Sequence, residues 1–143
     1  MSIPTPKPGL VIRYSFLWSS EHKTGAIEGK KDRPCAIVVA LPSNDSGQVR
    51  TVVAPITHTA PIDPKTSLEI PASVCESLGL DGARHWIRFD ELNRFIWPGY
   101  DLRPRPNGSY HYGMLPRDLF EKLRSGIIEA QKARNAQVVL RDD

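Results

Sequence analysis

Apolar and polar residues alternate from Leu10 to Trp18. Ile12, Tyr14, Phe16 and Trp18 fall on one face, Arg13 and Ser15 on the other, the pattern of a half-buried strand. Pro34 to Leu41 is instead apolar throughout, as in a strand covered on both faces. The turn cluster Pro42-Ser-Asn-Asp-Ser-Gly47 and a second strand, Val49 to Ile56, complete a hairpin. Thr59 to Lys65 is a Pro-rich turn leading to a short strand, Ser67 to Ile70. Ser73-Val-Cys-Glu76 has capping-box spacing and opens a short helix that stops at Gly79.

From His85 to Phe95 the alternation returns, with His85, Ile87 and Phe89 opposite Trp86, Arg88 and Asp90. A short strand is expected between Tyr110 and Leu115. The one long helix follows Pro116, with an apolar stripe of Leu119, Phe120, Leu123 and Ile127 and acidic Asp118 and Glu121 near its start. Ser19 to Asp32 and Trp97 to Gly108 read as long loops, which in a compact domain are usually functional or mobile. Hairpin-linked strands with a terminal helix predict a mainly β (α+β) domain, a small antiparallel barrel carrying a short helix and a C-terminal helix. A single domain spans 1–143, with a loose Pro-rich arm over residues 1–8 and a tail from about 134 to 143.

Composition narrows the class. At 40% hydrophobic and 24% charged the chain is ordinary globular material. No apolar run approaches the ~20 residues of a membrane-spanning helix. The N-terminus lacks a cationic start followed by an apolar segment, so no secretory signal is expected. Two cysteines, Cys35 and Cys75, have no metal-site spacing, and a reduced, cytoplasmic protein is the expectation. The net charge is only +3, yet 12 of 19 cationic residues are Arg, which grips phosphate in bidentate fashion and stacks on bases.

Four constellations carry candidate chemistry. Arg33 and Thr57 stand at the ends of two strands expected to share a sheet; they are either surface and turn residues or the two sides of an anion site. Arg88 and Asp90, two apart on a strand, project about 7 Å apart from one face, as a salt bridge or as working groups. His58 follows Thr57 and is able to donate a proton; the other histidines have no paired spacing, and no metal or cofactor is expected. Trp97-Pro-Gly-Tyr100 with Arg103 and Arg105 either anchors a loop or stacks bases along a backbone. There is no Gly-rich phosphate loop, Ser elbow or Cys-His dyad, which argues against nucleotide-cofactor and acyl-transfer enzymes.

Taken in order, Pro8-Gly9, Glu28 five residues before Arg33-Pro34, an apolar strand, Pro55-Ile56-Thr57, Arg88-Phe89-Asp90 and a helix after Leu115-Pro116 resemble the MazF/PemK (Kid-like) family of bacterial growth-inhibitor toxins. The set spans most of residues 8–130. The resemblance implies an SH3-like barrel, a homodimer and metal-independent endoribonuclease cleavage of single-stranded RNA or mRNA. It also implies inhibition by a cognate antitoxin, with operator DNA bound only together with that antitoxin. It places Arg33 and Thr57 near the scissile phosphate, and Arg88 and Asp90 as electrostatic or acid partner and base. Candidate RNA contacts are Glu28, Lys30 and Lys31 in the loop before Arg33, and Trp97, Arg103 and Arg105. The chain departs from the family pattern in the insertion-like WSSEHKTG, in Ile27 where some relatives have His, and in a longer, Pro-rich 97–106 segment.

The expected chemistry uses the 2′-hydroxyl of RNA as nucleophile, Asp90 as base, Arg33 and Arg88 as electrostatic stabilisers and His58 as alternative acid, giving a 2′,3′-cyclic phosphate and a 5′-hydroxyl. The competing expectation is a non-catalytic SH3-like module that binds nucleic acid or peptide; a third is a structural dimer unit whose basic face is fortuitous.

Overall fold

A computed structural model describes residues 3–27, 29, 31–43, 46–133 and 136–141. Its strands are β1 (Leu10–Tyr14), β2 (Arg33–Pro42), β3 (Val49–Thr57), β4 (Ser67–Glu69), β5 (Trp86–Arg88), β6 (Glu91–Trp97), β7 (His111–Met114) and β8 (Gln137–Leu140). The helices are α1 (Ser19–Lys23), α2 (Ala72–Ser77) and α3 (Arg117–Lys132). The fold is mainly β with a closing helix. The strands run β4-β5-β3-β2-β1-β7, and β6 pairs with both β3 and β8. Every pairing is antiparallel except β6 with β8, which is parallel. Among the described residues no ladder joins β4 to β7, so the curl of the sheet is not closed by hydrogen bonds.

Two irregularities produce that curl. Between Ile37 and Val39 the β2–β3 register shifts, leaving Val38 as an extra residue that bends β2. On the other edge of β3, residues Val49–Val53 pair with β6 while Ile56 and Thr57 pair with β5. The chain therefore crosses β3 once, broken at Phe89-Asp90. The alternation expected from His85 to Phe95 is corrected accordingly: Phe89 swings into the core, and Trp86, read as lying on a charged face, is buried beneath Arg84.

Alternation along the strands splits the interior in two. Val11, Ala36, Ala54 and Ile56 face a core closed by α2 and α3, through Val74, Leu119, Leu123 and Ile127. Ile12, Tyr14, Cys35, Ile37, Val53 and Phe95 face a second cluster, lidded by Phe16 and Leu102. This explains why β2 is apolar at successive positions.

Two local readings are also revised, and the tail gains structure. Ser19–Lys23, read as loop, forms α1. Helix α2 starts at Ala72 behind Pro71, with no side-chain cap bond, so Ser73 does not cap it. The tail, for which the sequence specifies no element, contributes β8 and the buried Arg141. Within the described residues of the predicted arm, residues 3–8 form neither helix nor strand. No helix among the described residues is long and apolar enough to cross a membrane.

Candidate phosphate-binding cavity

The register that pairs Cys35 with Pro55 carries Arg33, at the start of β2, opposite Thr57, at the end of β3. Together they open onto a cavity of about 630 Å³. Its walls include Trp18, Lys31, Asp32, Arg33, Thr57, His58, Asp81, His85, Arg88 and Tyr112. These groups arrive from five separated segments of the chain.

Trp18 organises the cationic wall. The guanidinium carbon of Arg33 lies 5.0 Å from its ring centre, and that of Arg88 lies 5.3 Å away. Both contacts are within cation–π range. The backbone on either side of Trp18 is held by β6. The buried Glu91 carboxylate accepts from Ser19 N–H at 2.8 Å and from Ser19 Oγ at 2.7 Å. Asn93, fully buried, accepts from Leu17 N–H at 2.9 Å and donates to Leu17 O at 2.8 Å.

The loop delivering Lys31 to Arg33 lies hard against Ser15-Phe16. Gly29 N–H donates to Ser15 Oγ at 3.1 Å, and a Cβ at Gly29 would fall 2.0 Å from Phe16 O. Only glycine permits that approach.

The two stacked arginines differ. Arg88 clamps Asp90 through two bonds of 2.7 Å, and this raises the Arg88 pKa above its ordinary value. Arg33 has no carboxylate in ion-pair contact among the described residues, and its Nε is buried with no hydrogen-bond partner. Burial lowers its pKa, opposed by the nearby Cys35 and Glu21 groups. An Arg side chain keeps its charge regardless. A buried guanidinium N–H without an acceptor is costly.

The remaining walls are polar. Thr57 is buried, and its Oγ1 accepts Thr59 N–H at 3.2 Å, which fixes the bend carrying exposed His58. His85 is buried and its Nε2 lies 2.9 Å from Asp81 Oδ1. The Asp81 carboxyl is held below its usual range, first by Ala83 N–H and then by His85. Burial pushes the Tyr112 hydroxyl up, so it remains a donor. Burial also pushes the Cys35 thiol far up, which removes it as a nucleophile.

Of the residues singled out from sequence, Arg33, Thr57, His58, Arg88 and Lys31 share this cavity. Asp90 does not line it, and both its oxygens are taken up by Arg88. Arg103 reaches the wall through Asp32, at 3.7 Å, and Arg105 lies 4.3 Å over the Tyr112 ring. Trp97 does not belong: it pairs with Val49, eight residues along β3 from Thr57 and so roughly 25 Å away, and packs on Phe95. Glu28 and Lys30 lie outside the described residues. Sequence reasoning missed Trp18 as a site residue, and also Asp81, His85 and Tyr112. Only the insertion-like WSSEHKTG marked Trp18 out.

Among the described residues no group of three or more His, Cys, Asp or Glu is placed to hold a metal ion. No protein-family model matches the chain, and no significant likeness to a curated protein or a solved structure was found.

Proposed function

We propose that the chain is a single-stranded-RNA endoribonuclease acting as a growth-inhibiting toxin, in the manner of the MazF/PemK proteins its motifs resemble. The observation that carries this reading is Arg33. Its guanidinium is stacked on Trp18, has a buried N–H without an acceptor, and opens with Thr57 and His58 onto one cavity. That arrangement suits an anionic group beside a planar one, the chemistry of a nucleotide phosphate.

Arg33 holds the scissile phosphate and stabilises its added charge, with the Thr57 hydroxyl as a second donor. Arg88, neutralised by Asp90, supports Trp18 and contributes a directed N–H more than net charge. Asp90 is bound up in that pair, so proton transfer falls to His58. His58 accepts the 2′-hydroxyl proton as the 2′-oxygen attacks phosphorus. The bond from phosphorus to the 5′-oxygen breaks, and that oxygen takes up a proton through water. The products are a 2′,3′-cyclic phosphate and a 5′-hydroxyl. Arg103, Arg105 and Lys31 guide the flanking backbone. A homodimer, a cognate antitoxin and a cytoplasmic setting belong to the same reading.

The test is incubation of the purified chain with mixed RNA oligonucleotides in EDTA, followed by end-group analysis. Cyclic-phosphate ends that disappear with Arg33→Ala support the proposal. Salt-dependent binding that leaves the RNA intact supports instead a module that binds without cutting.

A further inference from the structure

We infer that Asp81 and His85 are positioning residues for His58, and that the three form the proton-transfer unit of the cavity. The inference rests on the RNA-cleavage reading above and assigns that site its working imidazole.

His58 and His85 come from different loops, one ending β3 and the other preceding β5, yet both line the cavity. Their rings meet edge to face, 5.7 Å between centres and 75° between planes. His85 is the buried member. With its Nε2 on the Asp81 carboxylate, the Nε2 proton is donated and its Nδ1 is left as acceptor, so one tautomer is selected. Asp81 is fixed in turn by Ala83 N–H at 2.9 Å, and the His85 carbonyl accepts Ile70 N–H at 2.8 Å. His58 is the exposed member, carried on the bend that Thr57 pins, and is free to meet a 2′-hydroxyl. Closing the 81–85 loop would require only the Asp81–His85 bond. It would not require a second imidazole against the first, nor both facing the cavity that holds Arg33.

The arrangement gives His58 the role of catalytic residue and the other two the role of holding its ring. The experiment uses the full chain, a single-stranded RNA oligonucleotide in EDTA for cleavage, and its 2′-O-methyl analogue for binding. His58→Gly is expected to lower kcat by about 10²–10³-fold, within the usual range for general acid–base groups, with analogue binding unchanged and cleavage partly restored by added imidazole. Asp81→Asn is expected to lower kcat about fivefold with KM unchanged, as suits a largely exposed contact acting through another residue. Because Asp81 is exposed, that variant folds even where His85→Ala does not. Cleavage by His58→Gly at the wild-type rate overturns the inference while leaving the RNA reading intact. So does an Asp81→Asn effect confined to KM or thermal stability. A wild-type chain that leaves all RNA whole overturns both.

Discussion

Arg141 and Arg33 are both pressed into the protein, and they are used in opposite ways. The Arg141 side chain is 2% exposed and pairs with Asp101 at 2.8 Å. It also donates to Ser15 O at 2.8 Å, Asn93 Oδ1 at 2.9 Å and Ile27 O at 3.1 Å. It ties β8 to the two segments that frame the cavity, the one before Trp18 and the one before Lys31. Arg33 stacks on an indole and leaves its buried Nε without an acceptor. A structural arginine has its donors answered by its own chain, whereas one that serves a ligand keeps a donor in reserve.

Removal of each side chain breaks or sharpens this contrast. Arg141→Ala is expected to cost about 3–5 kcal/mol, since it removes the buried ion-pair partner of Asp101 and a donor from Ser15 O, Asn93 Oδ1 and Ile27 O. Arg33→Ala is expected to stay within about 1 kcal/mol of wild type. Urea unfolding of the two variants measures both, and equal losses would dissolve the distinction. If the proposed RNA cleavage holds, the order reverses: Arg33→Ala is expected to lower kcat by about 10²–10³-fold, the usual cost of removing one transition-state donor. Arg33→Lys recovers little of it, because an ammonium neither stacks nor forks. Trp18→Leu weakens binding of the 2′-O-methyl oligonucleotide about tenfold, the scale of a partly buried cation–π contact, read by fluorescence anisotropy.

The smallest effect is on pH dependence. The folded Asp81 carboxyl is depressed below its unfolded value, so its contribution to stability is complete above about pH 4 and is lost as pH falls through the lowered value. Glu69, bound to Arg84, behaves in the same way. Melting temperature should decline below pH 4, and Asp81→Asn should make that acid decline shallower.

Much of the scaffold was legible because local rules and tertiary context agree. The apolar run of β2 and the Pro42–Gly47 turn specify a hairpin whose register sets Arg33 opposite Thr57. Periodicity likewise located α3 through Leu119, Leu123 and Ile127. Residues whose position depends on distant partners were not legible. Trp18 reads as one more alternating apolar position, and only Glu91 and Asn93, over 70 residues away, turn it into a cavity wall. β8 is short and pairs in parallel, so no hairpin signal announces it. Arg88 and Asp90 do lie together, but Arg88 takes up both Asp90 oxygens, so only Arg88 lines the cavity. Trp97 and Arg103 are near in sequence, yet only Arg103 reaches the cavity wall.

The most direct measurement is the side-chain Nε–H resonance of Arg33 during titration with the 2′-O-methyl oligonucleotide, with that of Arg141 as internal reference. A saturable shift at Arg33, with Arg141 unmoved, is the predicted result. An Arg33 signal that stays in place while the oligonucleotide binds, or equal movement of both, would contradict the account.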